Sequence, residues 1–249
     1  MLALVLVASL ATPRVDYVKR EAVAAGVPIT TVEFLFGDQR IDPDIKFTAG
    51  KSPLTWKEAI TNLLKPESVA RGYQYLREHQ EFAKRAAEKY GVDGASLVAV
   101  MKVETDLGSY PGDYRVFNVF LTNLIRASEQ KWRWHGENLV NLIQYCRQAN
   151  RDCFEIRGSW AGAFGLPQFL PFSFTHYGVD GDGDDVIDLF NPADAFVSCA
   201  SFLAAHGWKK DQRRALAAYF GAKSPYQDAV LRYAVAVRAL IENDAKKPA

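Results

Sequence analysis

Glu104 is the residue on which chemistry can be built. It follows Leu97, Val98, Val100, Met101 and Val103, an apolar run with helical spacing, and stands just before the turn Leu107-Gly108-Ser109. The C-terminal end of a helix carries partial negative charge and disfavours a carboxylate. Partial burial against the apolar helix acts in the same direction, so both effects raise the pKa. A carboxylic acid that keeps its proton near neutral pH can donate it to a glycosidic oxygen. The alternative left open by the local sequence is an exposed helix-end glutamate paired with Lys102 or Arg126.

Two other stretches carry more than a connector needs. Between Gly158 and Pro171, the small residues Ala161, Gly162, Ala163 and Gly165 let backbone approach a ligand or a neighbouring helix closely. Ser159 and Gln168 bring hydrogen-bonding side chains to the same locality, and Trp160, Phe164 and Phe169 offer aromatic faces on which pyranose rings could stack. A tight helix crossing with a polar cap would use the same small residues. Further on, Asp180, Asp182 and Asp184 alternate with glycines, Asp188 follows and Asp194 closes the segment. Alternating carboxylates supply the hard oxygen ligands that calcium takes, and the first three match the opening of an EF-hand loop. The match then lapses, with Asp185 where that loop wants glycine and Asn191 where it wants glutamate. A solvated acidic turn is the alternative, and calcium or another hard cation in a structural role is favoured over it.

The elements that must position these residues are helices. Apolar residues recur at helical spacing in Val15 to Ala25, Val69 to Tyr90, Leu97 to Val103, Leu139 to Cys146, Ala193 to His206 and Ala229 to Ile241. No long run alternates apolar and polar residues, so strands should be few and the fold class is mainly α. Breakers at Gly37 to Pro43, Gly50 to Pro53, Gly91 to Gly94 and Gly108 to Gly112, together with the two functional stretches, separate the helices. No repeat or long linker forces a division, so residues 12–249 read as one domain, with a tail frayed after Asn243.

With 49% hydrophobic and 24% charged residues in 249, the chain can bury a substantial core and is not a disordered one. Thirty basic and 29 acidic residues leave a net charge of +1, which lacks the basic field that nucleic-acid binding requires. Residues 1–11 are apolar from Leu2 to Leu10, too short to span a bilayer, and end in small residues before Pro13. They suit the tail of a secretory signal slightly better than an apolar helix turn belonging to the domain. No later segment could span a membrane, and no cysteine near this end could accept a lipid. Cys146 and Cys153 lie close enough for a local disulfide in an oxidising compartment, whereas Cys199 stands in an apolar stretch as a core residue. The expected location is therefore exported, periplasmic or extracellular.

Three blocks of sequence resemble the lytic murein transglycosylase B family. Tyr90-Gly91-Val92 with the following helix and Val103-Glu104-Thr105-Asp106-Leu107-Gly108 is similar to its catalytic segment, and Gly158 through Phe174 to its signature. Tyr177-Gly178-Val179-Asp180 through Asp188-Leu189-Phe190, then Asp194-Ala195 and His206-Gly207-Trp208, is similar to its acidic loop and the helix behind it. The resemblance, from about Leu54 to Trp208, implies a lysozyme-like helical core with a groove for the glycan strands of peptidoglycan. It implies that Glu104 protonates the oxygen bridging N-acetylmuramic acid and N-acetylglucosamine. The same carboxylate then takes a proton from the muramic hydroxymethyl group as that oxygen closes on the anomeric carbon. No cofactor serves the chemistry. Ser159 and Gln168 would line the cleft, with Phe169, Tyr219 and Tyr226 as further substrate contacts, and Asp180, Asp182, Asp184, Asp188 and Asp194 would form the metal loop of a monomeric enzyme.

The sequence departs from the family in places. Lys209 to Arg214 leads almost directly into Ala215 to Phe220 where a long insertion is usual, Phe220 stands for an asparagine, and Glu129-Gln130 for a pair of arginines. The runner-up is a lysozyme-type hydrolase acting on the same or deacetylated strands. It would need a second carboxylate roughly 5 to 9.5 Å from the first; Asp106 and Asp113 are nearest in sequence, and Asp113 the better candidate. A glycan-binding module without catalysis ranks third, because it has no use for an acid at 104.

Overall fold

A computed structural model describes residues 12–47, 54–221 and 225–246. The apolar segment at 1–11 and the breaker at Gly50 to Pro53 lie outside these. The chain divides into two compact units, Met1–Ala49 with Pro111–His176 and Gly50–Tyr110 with Tyr177–Ala249. Twelve helices and two short strands occur among the described residues, so the fold is mainly α with few strands, as the periodicity predicts.

In the first unit, α1 (Pro13–Ala24) starts where Thr12 accepts the Val15 N–H and Pro13 supplies a preset φ, and it buries Val15, Val18 and Ala22. Helix α2 (Ile29–Phe36) follows. The centre of this unit is α7 (Val116–Arg126), packed along α8 (Trp132–Gln148). Asn118 and Thr122 are buried on α7 and donate to the carbonyls of Arg40 and Asp42, while the buried Asn118 Oδ1 has no hydrogen-bond partner among the described residues. Strands β1 (Tyr114–Arg115) and β2 (Arg157–Gly158) pair antiparallel, with Tyr114 opposite Gly158. The Cys146–Cys153 disulfide closes the loop after α8, as their spacing predicts. Helix α9 (Pro171–Tyr177) follows the Gly/Ala-rich block.

The second unit holds α3 (Trp56–Leu63), α4 (Pro66–Glu78), α5 (Gln80–Tyr90), α6 (Gly94–Thr105), α10 (Pro192–Ala205), α11 (Gln212–Phe220) and α12 (Tyr226–Ala245). Thr55 and Glu58 form a reciprocal capping box at the start of α3. The stretch Val69 to Tyr90, continuous by periodicity, is two helices broken at His79, whose backbone (φ −116°, ψ 25°) leaves the helical region. Helix α12 runs two residues past Asn243, where fraying was expected.

Helix α6 is the centre of the second unit. Ala95 to Lys102 are all buried, and its chief neighbours are α12, α4 and α5. Asp93 caps its N-terminus by accepting from Ser96 N at 3.1 Å, and the same carboxylate takes two hydrogen bonds from Arg238 of α12 at 2.8 and 3.1 Å. The helix is thus fixed at its start to the element that meets its other end.

Candidate active site

Glu104 lies in the last turn of α6. Beyond it the chain reverses through two consecutive non-glycine residues in the left-handed region, Asp106 (φ 51°) and Leu107 (φ 61°), and the Leu107 N–H closes on the Met101 carbonyl at 3.2 Å. Charge pairs hold this strained ending. Lys102, almost wholly buried, pairs with Asp106, and Arg71 of α4 reaches the other Asp106 oxygen at 3.1 Å. The structure therefore gives Lys102 to Asp106 and not to Glu104. Arg126, the other candidate partner, sits in the first unit on Asp44 and the Ile45 carbonyl.

Glu104 instead meets Tyr226, the first residue of α12, whose hydroxyl donates to Oε1 at 2.6 Å. Burial pushes the Glu104 pKa up to about 7, because a carboxylate there loses water that the protein does not replace. The Tyr226 hydroxyl opposes the shift, since a donor stabilises the ionised form. The side chain remains partly accessible, so a ligand can reach an acid that is half protonated at neutral pH.

Tyr226 occupies a different place from that expected of a substrate contact. Tyr226 is fully buried. Its ring cannot lie against a sugar, and its hydroxyl is spent on Glu104. Tyr219 is half-buried, with its ring edge-on to Phe202 at 4.8 Å and parallel to Tyr226 at 6.3 Å. Burial and the nearby negative groups hold both phenols well above the ordinary tyrosine value, so both act as donors. Buried Cys199 hydrogen-bonds with Tyr219, and burial pushes its thiol up to about 12. On the flank of α6 a cavity of about 360 Å³ is lined by Trp56, Leu63, Lys102, Val103 and Asp106 among others.

The acidic loop makes a second cluster in the same unit. Carboxylate oxygens of Asp180, Asp182 and Asp194 lie within 4.8 Å of one another. Asp194, 1% exposed in the first turn of α10, accepts the Gly181 and Asp188 N–H groups at 2.8 and 2.6 Å. Burial raises its pKa to about 6 against those donors, with Asp182 and Asp180 adding to the rise. Gly181 has no room for a side chain, because a Cβ there would stand 2.2 Å from the Ala193 carbonyl. Three converging carboxylates, one of them buried, are a donor set that fits a hard dication. Asp184 and Asp188 stand outside this group, accepting the N–H groups of Val186 and Phe190.

Ser159, Gln168, Phe169 and Asp113 belong to the first unit. Ser159 Oγ accepts from Ala163 N at 3.1 Å. Gln168 adopts a left-handed φ of 50° and donates to the Pro111 and Gly165 carbonyls at 3.2 and 3.1 Å. Phe164 and Phe169 pair through their backbones and are buried, so neither ring can stack on a sugar. This corrects the expectation for Phe169, whose apolar ring is buried beneath the loop; the exposed aromatics of the block are Trp160 and Phe172. Gly162 is required, since a Cβ would meet the Phe120 ring at 2.4 Å. Asp113 is exposed, and its carbonyl accepts from Arg157. Sequence reasoning missed the exposed ring of Trp56, which begins α3 and meets Phe220 edge-on at 6.0 Å. A lone tryptophan after a capping threonine gives no pattern by which to find it.

A family model described as the transglycosylase SLT domain matches residues 11–245. The chain belongs to this family. Membrane-bound lytic murein transglycosylase B of Escherichia coli (strain K12) is 29% identical over 197 residues, which is 75% of this chain and 54% of that protein. The transglycosylase SLT chain thus spans about half the length of the curated relative it matches. The Escherichia coli lytic transglycosylase Slt35 in complex with calcium superposes with a TM-score of 0.79 at 21% identity, covering 92% of this chain and 94% of that one. SltB3 from Pseudomonas aeruginosa in complex with NAG-anhNAM-pentapeptide gives 0.67 at 27% identity, covering 78% and 52%. These likenesses establish the lysozyme-like helical fold. Among the described residues no helix is long and apolar enough to cross a membrane.

Proposed function

We propose that this protein cuts the β-1,4 bond between N-acetylmuramic acid and N-acetylglucosamine in peptidoglycan as a lytic transglycosylase, with Glu104 as acid and then base. The observation that carries the reading is a partly accessible Glu104 with a pKa of about 7, held by Tyr226 and, among the described residues, by no cation. Protonated Glu104 gives its proton to the bridging oxygen, which leaves with the bonding electron pair. The resulting carboxylate, stabilised by Tyr226, removes the proton from the muramic hydroxymethyl group while that oxygen bonds to the anomeric carbon. The proton count closes on Glu104, the product ends in an anhydro-muramic ring, and no water is consumed. Hydrolysis would instead need a second free carboxylate; within the unit that holds Glu104, the candidate Asp106 is committed to Lys102 and Arg71.

Ser159, Gln168 and Tyr219 are proposed to hold the glycan. Asp180, Asp182 and Asp194 are proposed to hold a calcium ion that neutralises the loop and has no part in the bond cleavage, a role supported by the convergence of their oxygens and by the calcium complex of the related Slt35. The disulfide supports an exported location. Digesting purified peptidoglycan and weighing the new chain ends tests the reading. Anhydro ends that vanish in Glu104→Gln are expected; reducing ends would show a hydrolase, and no new ends would remove the enzyme assignment.

A further inference from the structure

The acid's partner has a partner of its own. Phe220, the last residue of α11, lies flat on Tyr226 with ring centroids 4.8 Å apart and planes 7° from parallel. Trp56 meets Phe220 edge-on at 6.0 Å. Tyr226 is fully buried, yet Phe220 is 54% and Trp56 38% exposed. The burial of Tyr226 therefore occupies one face of the Phe220 ring and leaves the opposite side to solvent. Two large aromatic rings in mutual contact, both exposed and one layer above the hydroxyl that holds Glu104, are costly to leave wet without a use. Trp56 also forms part of the cavity wall on the flank of α6, so the exposed surface continues into a concave one.

Resting on the reading of Glu104 as a glycan-cleaving acid, we propose that Phe220 and Trp56 form a sugar-stacking subsite that grips a β-linked N-acetylhexosamine ring beside the scissile bond. A β-linked pyranose presents axial C–H groups on its faces, and such a face loses little hydration when laid on an aromatic ring while its hydroxyls stay at the rim in water. The ring beneath, Tyr226, is fixed by burial and by its bond to Glu104, so Phe220 is preorganised and its side-chain entropy is already lost. The subsite acts on binding and leaves the proton transfers to Glu104. Phe220 and Trp56 are thus specificity-determining residues.

The test measures chitohexaose affinity in a Glu104→Gln background by titration calorimetry, and KM and kcat on solubilised glycan strands in the wild-type background. Phe220→Ala is expected to weaken binding and raise KM by roughly tenfold, with kcat within about threefold. Phe220→Leu, which keeps apolar volume but no flat face, should stay at least about threefold weaker than the parent, and Phe220→Trp should recover affinity. Trp56→Ala should show the same split with a smaller loss. Affinity and KM unchanged in Phe220→Ala, full recovery by leucine, or a loss confined to kcat would overturn the subsite while leaving the acid in place. A parent that neither binds chitohexaose nor cuts glycan would overturn both.

Discussion

The second unit contains two acidic sites built on opposite terms. At the end of α6 a single carboxyl, Glu104, is pushed towards its neutral form by burial, and the group that hydrogen-bonds to it is a neutral phenol. In the loop before α10 three carboxylates crowd within 4.8 Å, and backbone N–H groups hold Asp180 and Asp194. On the proposed reading, the same functional group serves as a proton donor where donors are few and as a cation ligand where carboxylates converge. Asp106, two residues after Glu104, marks the boundary between the regimes. Burial pulls its pKa upward, but Lys102 first and Arg71 next hold it below the usual carboxylate range.

The contrast can be broken most strongly at Glu104. Glu104→Gln keeps shape and can still accept from Tyr226 but cannot give a proton, so turnover on purified peptidoglycan should fall by roughly 10²- to 10⁴-fold. Tyr226→Phe keeps the buried ring and removes the donor, and a drop of about tenfold in kcat is expected from one lost charge-assisted hydrogen bond. Because that donor favours the ionised form, its removal should also move the falling limb of kcat/KM to higher pH. A limb that moves down would contradict the role given to Tyr226.

Smaller effects sharpen the other side of the comparison. Asp194→Asn puts an amide where two N–H groups need acceptors, costing about 1–3 kcal/mol and lowering Tm by about 3–10 °C. Calcium should raise the Tm of the wild type and not of this variant. At Glu104 the effect on stability has the opposite sign. The folded protein binds this proton more tightly than the unfolded chain does, so wild-type stability falls as pH rises from 4.5 to about 7. Glu104→Gln escapes that loss, and should be more stable than wild type by about 1–2 kcal/mol at pH 8, after allowance for partial solvent access, and no more stable at pH 4. Denaturant titrations at the two pH values check this.

Much of this was legible before any coordinates. The apolar run before Glu104 predicts α6 because every face of that helix is buried, and the disulfide follows from two cysteines across a short loop. The helical stretches read from periodicity do not include α7, although Val116, Phe117, Phe120, Leu121 and Leu124 recur at helical spacing; Asn118 and Thr122 on its polar side read as surface residues until their carbonyl partners are seen. Tyr226 was read as a cleft residue. Its position behind the acid depends on α12 crossing the end of α6, a contact 122 residues apart in sequence that no local pattern encodes. The left-handed pair Asp106-Leu107 is equally silent, since the partners that hold Asp106, a buried Lys102 and Arg71 of α4, come together only in the folded chain.

The central claim is that Glu104 carries a proton at neutral pH, and the direct measurement is its titration by carboxyl-carbon NMR, with Glu104→Gln identifying the resonance. The midpoint should lie near 7, with Asp106 titrating below the usual carboxylate range in the same spectra. A Glu104 midpoint near the ordinary 4.5 would contradict the account, because the residue would then be a carboxylate with no proton to give.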